Sequence, residues 1–265
     1  MAKLNYDYIV WHRGGSPHYN LSYEEAMLIA SETEGLSLAR VWVNPRSIVV
    51  GYTLKIENEV NVDEAIKLEV PVVRRVSGGG AVFHDYGNIN ISVSVPERLS
   101  VDEGYTLITG IILDILSMAG FNGWVENVND VVVDGWKVSW SSLAIKPRAT
   151  LAHATLLTTL NTSIIRKLLK PRLDRVVRGE VTPAKYNPRS LAELRPDMPP
   201  DLIERTVLKS LLRVVGPPSP LNPPMLNDTA LTLCKHKYSS VKWSPLGKAT
   251  CTPPASWNPE PNYTI

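Results

Sequence analysis

Glutamine is absent from the 265 residues, and cysteine and phenylalanine occur only twice each. The two cysteines, Cys234 and Cys251, lie near the C-terminus. The one neighbouring histidine, in Cys234-Lys-His236, is too sparse a partner for a zinc site, which takes four ligands at set spacings. Two structural thiols are expected. No apolar run approaches the ~20 residues that span a bilayer, and the opening MAKLNYDYIV has no signal-peptide core. The expectation is a cytoplasmic chain with no membrane partner. An excess of one charge is also missing: 28 Lys and Arg against 26 Asp and Glu leave a formal net charge of +2. Nothing in that balance supplies the basic field nucleic acid asks for, and no nucleic-acid partner is expected. Missing glutamine together with 21 prolines follows the trend of heat-adapted proteins, against which plentiful asparagine argues.

What remains is the composition of a globular domain, 44% apolar and 20% charged, long enough for one large core and a small appendage. Tyr6–Trp11 alternates like a strand. Ser22-Tyr-Glu-Glu25 has the form of a capping box opening a helix to about Ile29 or Ser31, and Ser100 with Glu103 opens another to Ala119. Leu38–Val43 and Ser47–Gly51 read as strands parted by Asn44-Pro45, and Asn61 with Glu64 opens a short helix to Leu68. Val70–Val73 is a strand feeding a glycine loop, and Asn88–Val95 alternates with period two, as a half-buried strand does. Asp134-Gly135 marks a hairpin between Asp130–Val133 and Lys137–Ile145. Thr150–Leu160 is a further strand, and Ile164–Leu169 and Pro200–Val215 are helices. Hairpins interrupted by helices predict an α+β domain built on one main, mostly antiparallel sheet with flanking helices. A proline-rich stretch after Gly216 is the expected boundary between a domain of residues 1–216 and a linker, short helix (Asn227–Tyr238) and tail over 217–265.

Three stretches carry chemistry. In Arg74-Arg75-Val76-Ser77-Gly78-Gly79-Gly80, glycines let backbone N–H groups approach a ligand and arginines add cationic donors. The guest this suits is a small anion. The loop joins two strands, which excludes the P-loop and Rossmann fingerprints, since both need a helix N-terminus. His84, Asp85, Asn88 and Asn90 follow it. The second stretch, Asn129-Asp130 through Asp134-Gly135 to Lys137 and Ser139, sets a lysine just past a tight turn. Alternation places Lys137, Ser139 and Ser141 on one face near Asn129 or Asp130. The third, Leu151-Ala152-His153-Ala154-Thr155, puts a histidine and a threonine in an apolar strand.

RRVSGGGAVFHDYGNIN (74–90), NVNDVVVDGWKVS (127–139) and LAHATLL (151–157) together resemble, in order and spacing, the motifs of the lipoate–protein ligase family. Weaker likeness in NLSYEEA (20–26), VWVNPRSIVVGY (41–52) and NVDEAIKLEVPVVRR (61–75) extends it over about residues 20–215. The resemblance implies the biotin/lipoate ligase catalytic-domain architecture, with lipoate and nucleotide in one bent pocket. It implies an enzyme that makes lipoyl-AMP from lipoate and Mg²⁺-ATP, then passes the lipoyl group to a lysine of an acceptor lipoyl domain. Acceptors of this kind belong to 2-oxoacid dehydrogenases and glycine-cleavage H-type proteins.

The residues implied are Lys137 as the catalytic lysine, touching carboxylate and α-phosphate, and Arg75, Ser77, Gly78 and Gly79 around the adenylate phosphate. Gly80, Ala81, Val82 and Phe83 line the nucleotide side. His84, Asn90, Asn129, His153 and Thr155 complete the ATP and lipoyl-AMP pocket, and Asp130 holds Mg²⁺. His84 and His153 are the candidates for a base in the transfer step. The family's small residue after Lys-Val-Ser is Trp140 here, Ala152 and Ala154 replace a histidine and a glycine, and 182–194 follows the family pattern loosely. KHKYSSVKWSPLGK (235–248) resembles the connector to a C-terminal accessory domain, which in some archaeal members is a separate small protein. An octanoyl or lipoyl transferase of the same fold, which would use a cysteine nucleophile, and a non-catalytic lipoyl-AMP-binding homologue are the alternatives. Arg166–Arg178, with six basic residues and one acid, is a candidate surface for steering an acidic acceptor.

Overall fold

The computed structural model describes residues 5–220 and 223–259. Its strands are β1 (Tyr8–Arg13), β2 (Leu38–Val43), β3 (Ser47–Val50), β4 (Val72–Arg74), β5 (Val82–His84), β6 (Asn88–Val95), β7 (Gly123–Glu126), β8 (Asp130–Val133), β9 (Trp136–Ile145), β10 (Thr150–Leu157) and β11 (Ala255–Ser256). Among the described residues they form a large sheet in the order β11-β1-β2-β6-β10-β9-β8-β7 and a small one in the order β4-β3-β5. The large sheet is antiparallel except where β1 runs parallel to β2. This is the expected α+β architecture.

One face of the large sheet is apolar. Ile89, Ile91 and Val93 of β6 pack with Ile108, Ile112 and Ile115 of the Val101–Met118 helix and with Val207 and Leu211 of the Pro200–Val214 helix. The Ser100–Glu103 capping box that opens the first of these helices is formed as expected. The other face carries Asn88, Asn90, Ser92 and Ser94, and all four are buried as well. The half-buried reading of β6 is therefore corrected, because its polar face lies beneath the Pro17–Glu34 helix instead of facing water. Ser92 Oγ donates to Glu24 at 2.6 Å and Ser94 Oγ meets Ser31 Oγ at 2.7 Å. Period two records which face is polar, not which is wet.

That helix also corrects the capping-box reading at Ser22. It begins six residues earlier, with Ser16 accepting from Tyr19 N and Pro17 in the first turn, and ends at Gly35. Ser22 Oγ sits mid-helix, 2.8 Å from the carbonyls of Tyr19 and Ala230. Residues after 216 pack on the helix's far side: Leu226, Ala230 and Cys234 share a cluster with Tyr19, Tyr23 and Met27. Glu25 accepts from Lys237 Nζ at 2.7 Å and from Tyr238 at 2.8 Å. β11 then adds to the edge of β1. The return of the chain to that edge brings Cys234 and Cys251 together, Cα atoms 5.8 Å apart, in a disulfide. Free structural thiols were expected, and the fold overturns that.

Two buried histidines tie this architecture to pH. Burial, with the Arg40 charge adding to it, lowers His12 from 6.5 to about 2, and burial lowers His84 from 6.5 to about 3. Unfolding lets each take up a proton below its ordinary value, while the folded chain does not until far lower pH. Stability is thus fully present above pH 6.5 and is lost as pH falls from there toward 3. Urea unfolding at pH 5 should show a loss on the order of 1–2 kcal/mol per histidine against pH 7. A His84→Asn chain should lose correspondingly less over the same range, and an equal pH dependence in both chains would exclude His84 as a contributor.

Candidate active site

The polar face of the large sheet and the small sheet meet around the glycine loop. β4 ends at Arg74, and Arg74 Nη1 donates to the carbonyls of Gly51, Tyr52 and Leu54, fixing the strand-end loop beside it. Gly51 cannot take a side chain, since a Cβ there would run into the Gly79 carbonyl. Gly79 itself has φ +90°, a conformation that L side chains rarely adopt. Glu59 Oε2 accepts from Ala81 N at 2.8 Å and holds the downstream half of the loop.

Arg75 is turned differently from the sequence expectation. Nε and Nη2 donate to Gly78 O at 3.2 and 2.6 Å, Nε also reaches Ser77 Oγ at 3.0 Å, and Nη1 donates to Val49 O. Burial lowers its guanidinium to about 10, still a cation at neutral pH. Its donors brace the loop from beneath. The N–H groups of Gly78, Gly79 and Gly80 have no acceptor among the described residues, so these, more than Arg75, are the free donors here.

A cavity opens beside the loop between Leu21, Trp42, Val49 and Val82 on one hand and His153, Thr155 and Trp140 on the other. Its volume is about 30 Å³, room for no more than a few waters at roughly 10–15 Å³ each. His84 and Asn90 complete its polar wall: Thr155 Oγ1 donates to Asn90 Oδ1 at 2.7 Å and lies 3.2 Å from His84 Nε2. His153 reaches Ser77 on one side and Glu24 on the other, 2.7 Å from each.

Beyond Trp140 lies a cationic cluster. Asp130 is fully buried, with Lys137 Nζ 2.8 Å from one carboxylate oxygen and Lys185 Nζ 3.0 Å from the other. Burial lowers the Lys137 pKa, and the Asp130 charge pulls it back upward. Lys185 arrives on the 183–186 turn, whose following residues clamp Lys137: Lys137 N donates to Asn187 O, and Arg189 N to Lys137 O. The expectation that Lys137, Ser139 and Ser141 share a face fails at a β-bulge between Val131 and Val132. Val132 opposes Lys137 but Asp130 opposes Trp140, so the extra residue brings Trp140 round to the side of Lys137. The ammonium then sits 5.0 Å from the centre of the indole, while Val138 enters the apolar core.

Of the residues expected at the site, the structure gathers Arg75, Ser77, Gly78, Gly79, Gly80, Ala81, Val82, His84, Asn90, His153 and Thr155 around the cavity and loop, with Lys137 and Asp130 behind Trp140. It leaves two apart. Phe83 points into the second core with Ile48 and Val50, and Asn129 Nδ2 is spent on Ser141 O at 2.7 Å. Sequence reasoning missed Glu24, Glu59 and Lys185. The expected steering surface is partly neutralised, because Arg172, Arg175 and Arg178 pair with Asp174 and Glu180.

Mg²⁺ tests poorly against this donor set. Both oxygens of Asp130 meet ammonium groups, and no cluster of three or more His, Cys, Asp or Glu suited to a metal occurs among the described residues. As arranged, the residues do not fit a resident Mg²⁺ at Asp130, and no step below runs through one. The pair of lysines on a single carboxylate leaves a surplus positive charge, which suits an anion.

An exposed glycine loop with free N–H donors, a narrow partly apolar cavity and a lysine cluster thus meet on one sheet. The chain belongs to the lipoyl protein ligase A/B catalytic domain family, whose model matches residues 16–212. It is 52% identical over 246 residues to an Aeropyrum pernix protein provisionally named lipoate-protein ligase A, covering 91% of this chain and 93% of that one. Against several bacterial lipoate-protein ligases, at 29% to 33% identity, it spans only 46% to 60% of the relative's length. Its fold is similar to that of a lipoate-protein ligase A bound with ATP, with TM-score 0.74 and 20% identity over 90% of this chain and 98% of that one. It is also similar to a bi-partite lipoate protein ligase of Thermoplasma acidophilum studied with its E2 lipoyl domain, with TM-score 0.71 and 20% identity over 89% and 96%. Among the described residues no helix is long and apolar enough to cross a membrane.

Proposed function

We propose that this chain is a lipoate–protein ligase that joins lipoate to AMP at the expense of ATP and passes the lipoyl group to a lysine of an acceptor lipoyl domain. The observation that carries the reading is the pairing of two unlike compartments across Trp140. One is a slender cavity with apolar walls, suited to an acyl chain. The other is a buried lysine and a half-buried one with a surplus charge, suited to a phosphate. In the first step a carboxylate attacks an α-phosphate, and the two anions must be brought together. Lys137, Lys185 and the free N–H groups of Gly78–Gly80 offset that repulsion and hold the developing charge without having to reorganise.

The cavity as it stands is too small for an acyl chain, so a wall must move before one enters, and Trp140, which stands between it and the lysine cluster, is the side chain this reading assigns. Trp140→Ala should remove that cost, and lipoate binding measured by calorimetry should tighten several-fold. Weaker binding in the variant would mean that the indole is a wall of the site and not its door.

Activation and transfer need not be equally complete in this chain. The similar Thermoplasma ligase is bi-partite. The chain transfers from lipoyl-AMP by itself and relies on a separate small accessory subunit to activate lipoate. AMP release from ATP and lipoate is the test. It should be slow with the purified chain, and robust release without a second protein would refute this part of the reading.

A further inference from the structure

Ser77, His153 and Glu24 stand in series, drawn from the loop after β4, from β10 and from the Pro17–Glu34 helix. Ser77 Oγ lies 2.7 Å from His153 Nε2, and His153 Nδ1 lies 2.7 Å from Glu24 Oε1. Ser92 Oγ donates to the same oxygen at 2.6 Å. Burial pushes the Glu24 carboxyl upward, but the His153 and Ser92 contacts outweigh it and leave the group below its ordinary range. In the neutral imidazole whose Nδ1–H is donated to Glu24, Nε2 is left to accept from the Ser77 hydroxyl. Arg75 Nε, 3.0 Å from Ser77 Oγ, is placed to stabilise an alkoxide. The unpartnered N–H groups of Gly78, Gly79 and Gly80 follow directly in the chain, as donors for an oxyanion.

Adenylate formation asks for no base, since its nucleophile is a carboxylate, already ionised. The transfer step, for which His153 is a candidate base, asks for no serine nucleophile. A hydroxyl hydrogen-bonded to a histidine that an acid orients is the geometry of an activated nucleophile. We propose that Ser77 is an acyl acceptor, which takes an acyl group from an activated ester, thioester or acyl-adenylate without ATP. This rests on the cavity being an acyl site, and not on adenylate formation.

The Ser77 Oγ–acyl carbon bond forms while the hydroxyl proton passes to His153 Nε2. The bond from the acyl carbon to its leaving group breaks, and the leaving group takes the proton from His153. Water or an acceptor amine later cleaves the ester by the same route reversed. Ser77 is itself 1% exposed and wedged between Arg75 and His153, which both line the cavity. The acyl group must displace the Arg75 contact to reach it, so acylation should be slow and stoichiometric.

The test uses the full chain and p-nitrophenyl octanoate with no nucleotide present. A burst of about one p-nitrophenolate per chain is expected, with an octanoyl increment on the peptide that contains Ser77. Ser77→Ala should abolish both, and His153→Asn should slow the burst by ~10²–10³, as loss of a general base does. Ser77→Cys should be acylated as a thioester that neutral hydroxylamine releases. An increment at another residue, a burst that survives Ser77→Ala, or no increment on the natural chain would each overturn the proposal. The same preparations are to be given lipoyl-AMP and an acceptor domain. Transfer without a Ser77 adduct defeats only this inference, and an adduct without transfer defeats only the ligase reading.

Discussion

Lys137→Ala is expected to lower lipoyl-AMP formation by ~10²–10³ relative to the unaltered chain under the same conditions, the usual cost of removing one preorganised donor from a developing charge. The structure makes the expectation specific. Lys137 is clamped at backbone level by Asn187 and Arg189, held by Asp130, and covered by the Trp140 ring. Its ammonium therefore arrives in place, with no search over rotamers. Lys185 remains in the variant and keeps Asp130 neutralised, so folding should be little affected and the loss should fall on the chemical step. Single-turnover measurement of lipoyl-AMP, with the accessory subunit added equally to both chains, checks this. Formation at a near-normal rate would remove Lys137 from the mechanism.

Asp130→Ala is expected to act on stability first. The carboxylate is fully buried and answers two lysines. Removing it leaves Lys137, which burial already disfavours as a cation, facing a second ammonium with nothing between them. Breaking a buried pair from one side typically costs about 3–5 kcal/mol, and urea unfolding at pH 7 should show a loss of that order. Deprotonation of Lys137 is the escape, so the loss should shrink as pH rises and Lys137 sheds its charge. A change below ~1 kcal/mol would show that water already shields the cluster, as it does at exposed ion pairs.

The parts of this molecule that could be read from its sequence are those set by local chemistry. Asp134-Gly135 gave the hairpin because both positions need positive φ, and both have it, at 51° and 76°. Ser100 and Glu103 gave the helix start because the cap is closed within four residues. The glycine loop was legible for a similar reason as a turn with free N–H donors.

What was not legible depends on partners far along the chain. Glu24 looks like one acid of a surface helix, and only the packing of β6 and β10 against that helix makes it the orienter of His153. Ser22-Glu25 mimicked a cap because a helix buried on both sides carries polar residues where an exposed one would not. Lys185 lay in a stretch with little pattern of its own and is defined by β9 pairing with the segment after it. Trp140 could not be placed by alternation, since a single bulged residue reverses the faces. Arg75 was expected to meet the phosphate, and its donors go to the loop that carries it.

On the proposed reading, the cavity and the lysine cluster together hold a lipoyl group joined to AMP and deliver it to a protein lysine. The most direct measurement mixes the purified chain with synthetic lipoyl-AMP and an E2-type lipoyl domain, then weighs the domain. One lipoyl increment on its lysine, formed much faster than without the chain and greatly slowed by Lys137→Ala, is the predicted result. A domain that gains no lipoyl group beyond the uncatalysed background would contradict the account.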